Sequence, residues 1–241
     1  RLGYYWHFMY IWLYFRTFRN VYRQRSKAIQ NPLHLLFIII FLGSLLGLPV
    51  DVDAKVVRIK YSGLTLNGDL SLAEGKTLKD GIVLMVHGTL AHKRMDTIRN
   101  LADILNERGF STLAINLSLG LNDRHGMYDC KIPHQHKHRD AIGEIAAWFD
   151  WLEGQNSGAV TLLGHSRGGN QVTQFAFERG HPNLIRLVTL APSQGHGRSP
   201  EAYEKTHGQL LNEVMPRAKA MIQAGKGNEI LRGIGMLYCQ A

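Results

Sequence analysis

Between the apolar run 159–163 (AVTLL) and a segment of helical periodicity at 170–178, the chain reads Gly164-His165-Ser166-Arg167-Gly168-Gly169. Short continuous apolar runs are typical of strands covered on both faces. A strand that passes into a helix within so few residues must turn sharply. Glycine at 164 and 168 removes side chains that would strike neighbouring backbone in such a turn. The serine is then lifted above the sheet edge, at a helix N-terminus whose amides and positive dipole end point toward it.

The chain on either side repeats this grammar. Lys55–Tyr61 and 64–72 alternate apolar and polar residues and read as an antiparallel hairpin, with Asn67-Gly68 as a strong turn pair. From there the period changes. Runs 81–86, 111–116, 159–163 and Leu184–Leu190 read as buried strands, and 81–86 leads into His87-Gly88. Segments 95–108, 138–153 and 170–178 carry apolar residues at helical spacing. Alternating strand and helix predicts an α/β fold, with a mostly parallel sheet and helices on both faces.

The first fifty residues differ. Run 35–48 (LLFIIIFLGSLLGL) is apolar apart from Ser44, and 33–50 reaches the 18 residues needed to span a bilayer. A core helix would show a polar face, and this run has none. The run follows a basic stretch, the layout of a secretory signal or a membrane anchor. The formal net charge is +9, yet residues 1–50 hold six Lys/Arg and no acid, which leaves +3 for the rest. The excess charge therefore reads as a membrane flank and excludes a nucleic-acid surface. The positive-inside rule places everything after Asp51 across the membrane, as an anchored or exported body. Two expected units follow: 1–54, aromatic, basic and apolar, and 55–241. The absence of Met at position 1 points to a fragment or a later start. With 45% hydrophobic residues, disorder is excluded.

From Val56 onward the chain resembles the α/β-hydrolase superfamily, on the opening hairpin, the strand ending in His87-Gly88 and the turn GHSRGG. The resemblance implies a cofactor-free serine hydrolase cleaving an ester, thioester or amide of a small-molecule or lipid-like acyl substrate. Ser166 would be the nucleophile, framed by Gly164, His165 and Gly168. The amides of Thr89 and Arg167 would form the oxyanion hole, because acyl transfer builds charge on a carbonyl oxygen. In this superfamily an acid and then a His follow later strands. Only 51 residues come after Leu190. Residues 191–224 read as a connecting or cap segment, and none of His181, His196, His207, Glu201, Glu204 and Glu213 follows a strand of the required kind, although His196 comes soon after the strand Leu184–Leu190. The expectation is a truncated chain, inactive because a serine without its base is a weak nucleophile. The alternative is a catalytically dead, membrane-anchored domain that binds.

His134, His136 and His138 alternate in PHQHKHRD. Alternation would place them on one face, where a metal site or a substrate-positioning role is open. Pro133 and the charged neighbours favour a solvated loop, and no metal is assigned. Cys130 and Cys239 could pair in an oxidising compartment, but their spacing does not decide it.

Overall fold

The computed structural model describes residues 54–193, 199–235, 237 and 239. The apolar run 33–50, read as a signal or anchor, lies outside them, as does His196. Among the described residues no helix is long and apolar enough to cross a membrane.

Six strands form one sheet: β1 (Lys55–Tyr61), β2 (Leu64–Ser71), β3 (Ile82–Val86), β4 (Thr112–Asn116), β5 (Val160–His165) and β6 (Leu184–Leu190). Their spatial order is β1-β2-β4-β3-β5-β6. β1, β2 and β4 pair antiparallel, and β4, β3, β5 and β6 run parallel. Helices α1 (Asp96–Glu107), α2 (Asp140–Gly154) and α3 (Arg167–Glu178) connect the parallel strands. The segment expected as a connector or cap holds α4 (Pro200–His207) and α5 (Leu211–Gln223).

Residue alternation along β3 explains the layers. Ile82, Leu84 and Val86 join a core with Trp148 and Phe149 of α2 and Val172 and Phe175 of α3. Val83 and Met85 point the other way, to Ile98, Leu101 and Leu105 of α1. A strand with both faces covered has no polar side, hence the continuous apolar run. The Phe149 and Phe175 rings stack with centroids 5.1 Å apart and lock α2 to α3.

The hairpin turns at Ser62-Gly63 and not at Asn67-Gly68. Both turn residues have positive φ, 46° and 78°, and Tyr61 faces Leu64. This is the two-residue turn whose twist matches the strands. Asn67 and Gly68 lie inside β2, opposite Arg58 and Val57. Asn67 Nδ2 donates to Asp123 Oδ1 at 2.8 Å and to the Arg124 carbonyl at 3.0 Å. A Cβ at Gly68 would lie 3.0 Å from Leu113 Cδ1 and 3.2 Å from Trp148 Cη2. Glycine stands there so that α2 can pack closely.

The next residue, Asp69, anchors the loop after β3. Its Oδ1 lies 2.7 Å from Lys93 Nζ and its Oδ2 2.5 Å from Arg94 Nε. The Lys93 side chain is 3% exposed. Burial pushes the Asp69 carboxyl up, but Arg94 and Lys93 outweigh it and hold the group below its ordinary range.

At the opposite edge, β6 has β5 as its one neighbour in the described sheet. Ile185, Leu187, Val188 and Leu190 on it are exposed. Between β3 and β5 the direction of winding reverses: α1 carries the chain from β3 to β4 on one side, and α2 returns it to β5 on the other. Crevices at the C-terminal ends of strands beside such a reversal are where α/β sheets hold ligands.

Candidate active site

β3 ends at Val86, beside Gly164 of β5, so His87-Gly88 and Ser166 emerge side by side from the sheet. A Cβ on Gly88 would lie 3.1 Å from Ser166 Cβ and 3.4 Å from His165 Nδ1. Ser166 has φ 54° and ψ −123°, a backbone conformation that costs an L-residue of order 1–3 kcal/mol. The surroundings enforce it. Ser166 N–H donates to the Leu190 carbonyl at 2.9 Å, and its carbonyl accepts from Gly169 N at 2.9 Å and Ser193 N at 3.2 Å. Helix α3 starts at the next residue, Arg167.

A methyl on Gly164 would overlap the Gly168 backbone, and one on Gly168 would overlap the His87 carbonyl. The atoms obstructing Gly168 are the buried backbone carbonyls of Val86, the last residue of β3, and His87 after it, with little room to retreat. Gly168→Ala is therefore expected to cost about 1–3 kcal/mol, read as a lowered urea midpoint at unchanged slope. An unchanged midpoint would mean that the turn is looser than its geometry implies.

Sequence reasoning missed the hub beneath the turn. His87 is 1% exposed. Its Nδ1 lies 2.8 Å from the Gly88 carbonyl, and its Nε2 accepts from Leu117 N and from Arg124, each at 3.1 Å. Nδ1 therefore carries the proton and donates to Gly88. Burial, with the Arg124 charge beside it, pushes the imidazole down to about 3. Arg124 also donates to the carbonyls of Leu117, Gly126 and Ala91. The pair His87-Gly88 was legible, but nothing local in the sequence points to Arg124 as its partner.

Arg167 Nε donates to His138 Nδ1 at 3.1 Å. Burial and the Arg167 charge hold His138 below the usual imidazole range. Among the described residues, Ser166 Oγ has no hydrogen-bond partner and no His–carboxylate pair reaches it. His181 packs on Phe149 with ring centroids 4.9 Å apart, and its Nε2 lies 3.8 Å from Glu153. His207 packs on Tyr203 at 4.6 Å. Glu201, Glu204 and Glu213 are exposed on α4 and α5.

The histidine-rich segment is not the solvated loop that its neighbours suggested. Ile132, His134, His136 and His138 turn inward while Lys131, Pro133, Gln135 and Lys137 face solvent. His136 is 8% exposed, with its ring 5.4 Å from Tyr128 and 5.2 Å from His134. Burial, then His134 and Arg167, push it down to about 4. Among the described residues, no three His, Cys, Asp or Glu are placed to hold a metal ion. Cys130 and Cys239, which spacing left undecided, form a disulfide across 109 residues.

A family model described as "Serine aminopeptidase, S33" matches residues 78–232. Comparison with curated proteins finds no match. Among solved structures, the chain is similar to Est1E from Butyrivibrio proteoclasticus, with 23% identity, a TM-score of 0.46, and coverage of 63% of this chain and 55% of that one. It is similar to XC6422 from Xanthomonas campestris, described as an a/b serine hydrolase without lid, with 17% identity, a TM-score of 0.48, and coverage of 62% and 65%. Similarity to DcsB, in complex with its substrate analogue, has 20% identity, a TM-score of 0.51, and coverage of 71% and 54%. The chain spans less than two thirds of the length of each of these three structures.

Proposed function

Because this chain belongs to the serine aminopeptidase S33 family of α/β serine hydrolases, we propose that it cleaves an ester, thioester or amide through an acyl-enzyme on Ser166. The substrate would be a small-molecule or lipid-like acyl compound, and no cofactor is needed. The observation that carries this reading is the positive φ of Ser166 at the C-terminal ends of β3 and β5, where the winding of the sheet reverses. Strain of this kind persists only where the surrounding structure enforces it, and it clusters at functional sites.

The oxyanion hole would be the amides of Thr89 and Arg167. The Gly88 carbonyl points to His87 Nδ1 and accepts from Ala91 N at 3.3 Å. In a trans peptide the C=O and N–H point in opposite directions, so the Thr89 N–H faces away from His87. The Arg167 N–H is the first of α3 and has no acceptor within the helix. For the location of the body, the basic flank before the apolar run and the disulfide both favour an oxidising compartment beyond the membrane.

A second reading, a domain that binds without catalysis, is favoured by the lack of a base on Ser166 Oγ among the described residues. Labelling of the purified chain with a fluorophosphonate, followed by peptide mapping, separates the two. Hydrolase chemistry predicts one adduct, on Ser166, that disappears in Ser166→Ala. A folded chain that takes up no label supports the binding domain and overturns the hydrolase reading.

A further inference from the structure

The disulfide is asymmetric. Cys130 is exposed, whereas Cys239 is 3% exposed. His134 Nε2 lies 3.2 Å from the Cys239 sulfur. The other nitrogen of that ring, Nδ1, is buried with no partner among the described residues. Burial and the Arg167 charge keep His134 below the usual imidazole range. A neutral imidazole whose one polar contact is a sulfur places its N–H on that side. A cavity of about 330 Å³ opens beside the bond, lined by Cys130, Ile132, His134, Glu229, Arg232 and Cys239 among others.

We propose that Cys130–Cys239 is a thiol-exchange site with a fixed direction, attacked at Cys130 and leaving at Cys239. Attack on a disulfide needs an accessible sulfur, and the other sulfur departs as a thiolate, faster where that thiolate is stabilised. An incoming thiol gives its proton to solvent and its thiolate bonds to the Cys130 sulfur. The S–S electron pair leaves with Cys239, whose thiolate accepts a hydrogen bond from His134 Nε2–H and then takes a proton from water. With a dithiol, the second thiolate attacks the mixed disulfide and frees Cys130; the dithiol is oxidised and the cystine reduced. With a monothiol such as glutathione, the product is a mixed disulfide on Cys130, which the Cys239 thiol can attack to release glutathione and re-form the cystine, so acid and N-ethylmaleimide must trap it. The 330 Å³ cavity has room for such a ligand. Exchange removes the covalent tie between the loop at Cys130 and Cys239, leaving the His134 contact to Cys239 and the Lys137–Asn228 hydrogen bond to hold the two stretches together. His138 of the histidine segment holds Arg167, next to Ser166.

The test uses the full chain under native conditions. It is exposed to sub-millimolar glutathione, quenched with acid and N-ethylmaleimide, and mapped by mass spectrometry. Glutathione is expected on Cys130 and maleimide on Cys239, with the reverse product at least about tenfold rarer. His134→Phe should slow exchange about tenfold, and His134→Gln, whose amide can donate to sulfur, should recover part of the rate. Equal labelling of the two cysteines, glutathione mainly on Cys239, or two free thiols in the oxidised protein would overturn the proposal. If His134→Phe fails to fold, the site of glutathione in the unsubstituted chain decides. The readout involves no step at Ser166, so it stands apart from the hydrolase reading.

Discussion

Acid is expected to remove about 5 kcal/mol of stability between pH 6.5 and pH 3 through His87 alone. The imidazole titrates near 3 in the folded chain and near 6.5 when unfolded, and each unit of difference is worth about 1.36 kcal/mol. The folded value is the depressed one, so the unfolded chain takes up the proton first as pH falls. The contribution is complete above pH 6.5, declines through the window, and is gone below about pH 3. Protonation would remove the acceptor that Leu117 N and Arg124 share, and would set a cation against the Arg124 guanidinium. With whole-domain stabilities of about 5–15 kcal/mol, a loss of this size unfolds many proteins. Urea unfolding at half-unit steps of pH measures it. His87→Asn, which cannot gain that proton, should flatten the slope. Equal slopes in the two proteins would remove His87 as the source.

Asp69→Ala carries the other large expected effect, a loss of about 3–5 kcal/mol. The carboxylate neutralises Lys93, whose side chain is 3% exposed. Without it an ammonium group stays buried with its charge uncompensated. Arg94 matters less here, because its side chain is 60% exposed and water can replace the contact. Asp69→Ala combined with Lys93→Met should recover most of the loss, because removing both members of a buried pair is far cheaper than removing one. A double variant as unstable as the single one would mean that Asp69 acts through β2 packing and not through charge.

The periodic parts of the fold were legible residue by residue. The run at 81–86 reads as a strand covered on both faces because Leu84 and Met85 each meet a helix layer. The turn at Ser166 was legible because Gly164 and Gly168 have no steric alternative. Asn67-Gly68 misled because local turn chemistry competed with a tertiary contact, Trp148 over Gly68, that no window of sequence contains. The histidine segment misled for a related reason. Its outward neighbours include Lys131 and Lys137, and the inward turn of the alternate residues depends on packing against Tyr128. His87 was noticed as half of a motif, but its neutrality comes first from burial and then from Arg124, 37 residues away. Charge partners at such separations leave no periodic trace.

Among the described residues no strand pairs with the outer side of β6, which carries Ile185, Leu187, Val188 and Leu190 at the surface. An apolar edge of this kind is a template for another strand. Concentration then becomes part of the chemistry of the body. Raising the concentration would favour adhesion along this edge. A turbid preparation would reflect this border of the sheet before it reflected any fault in the core.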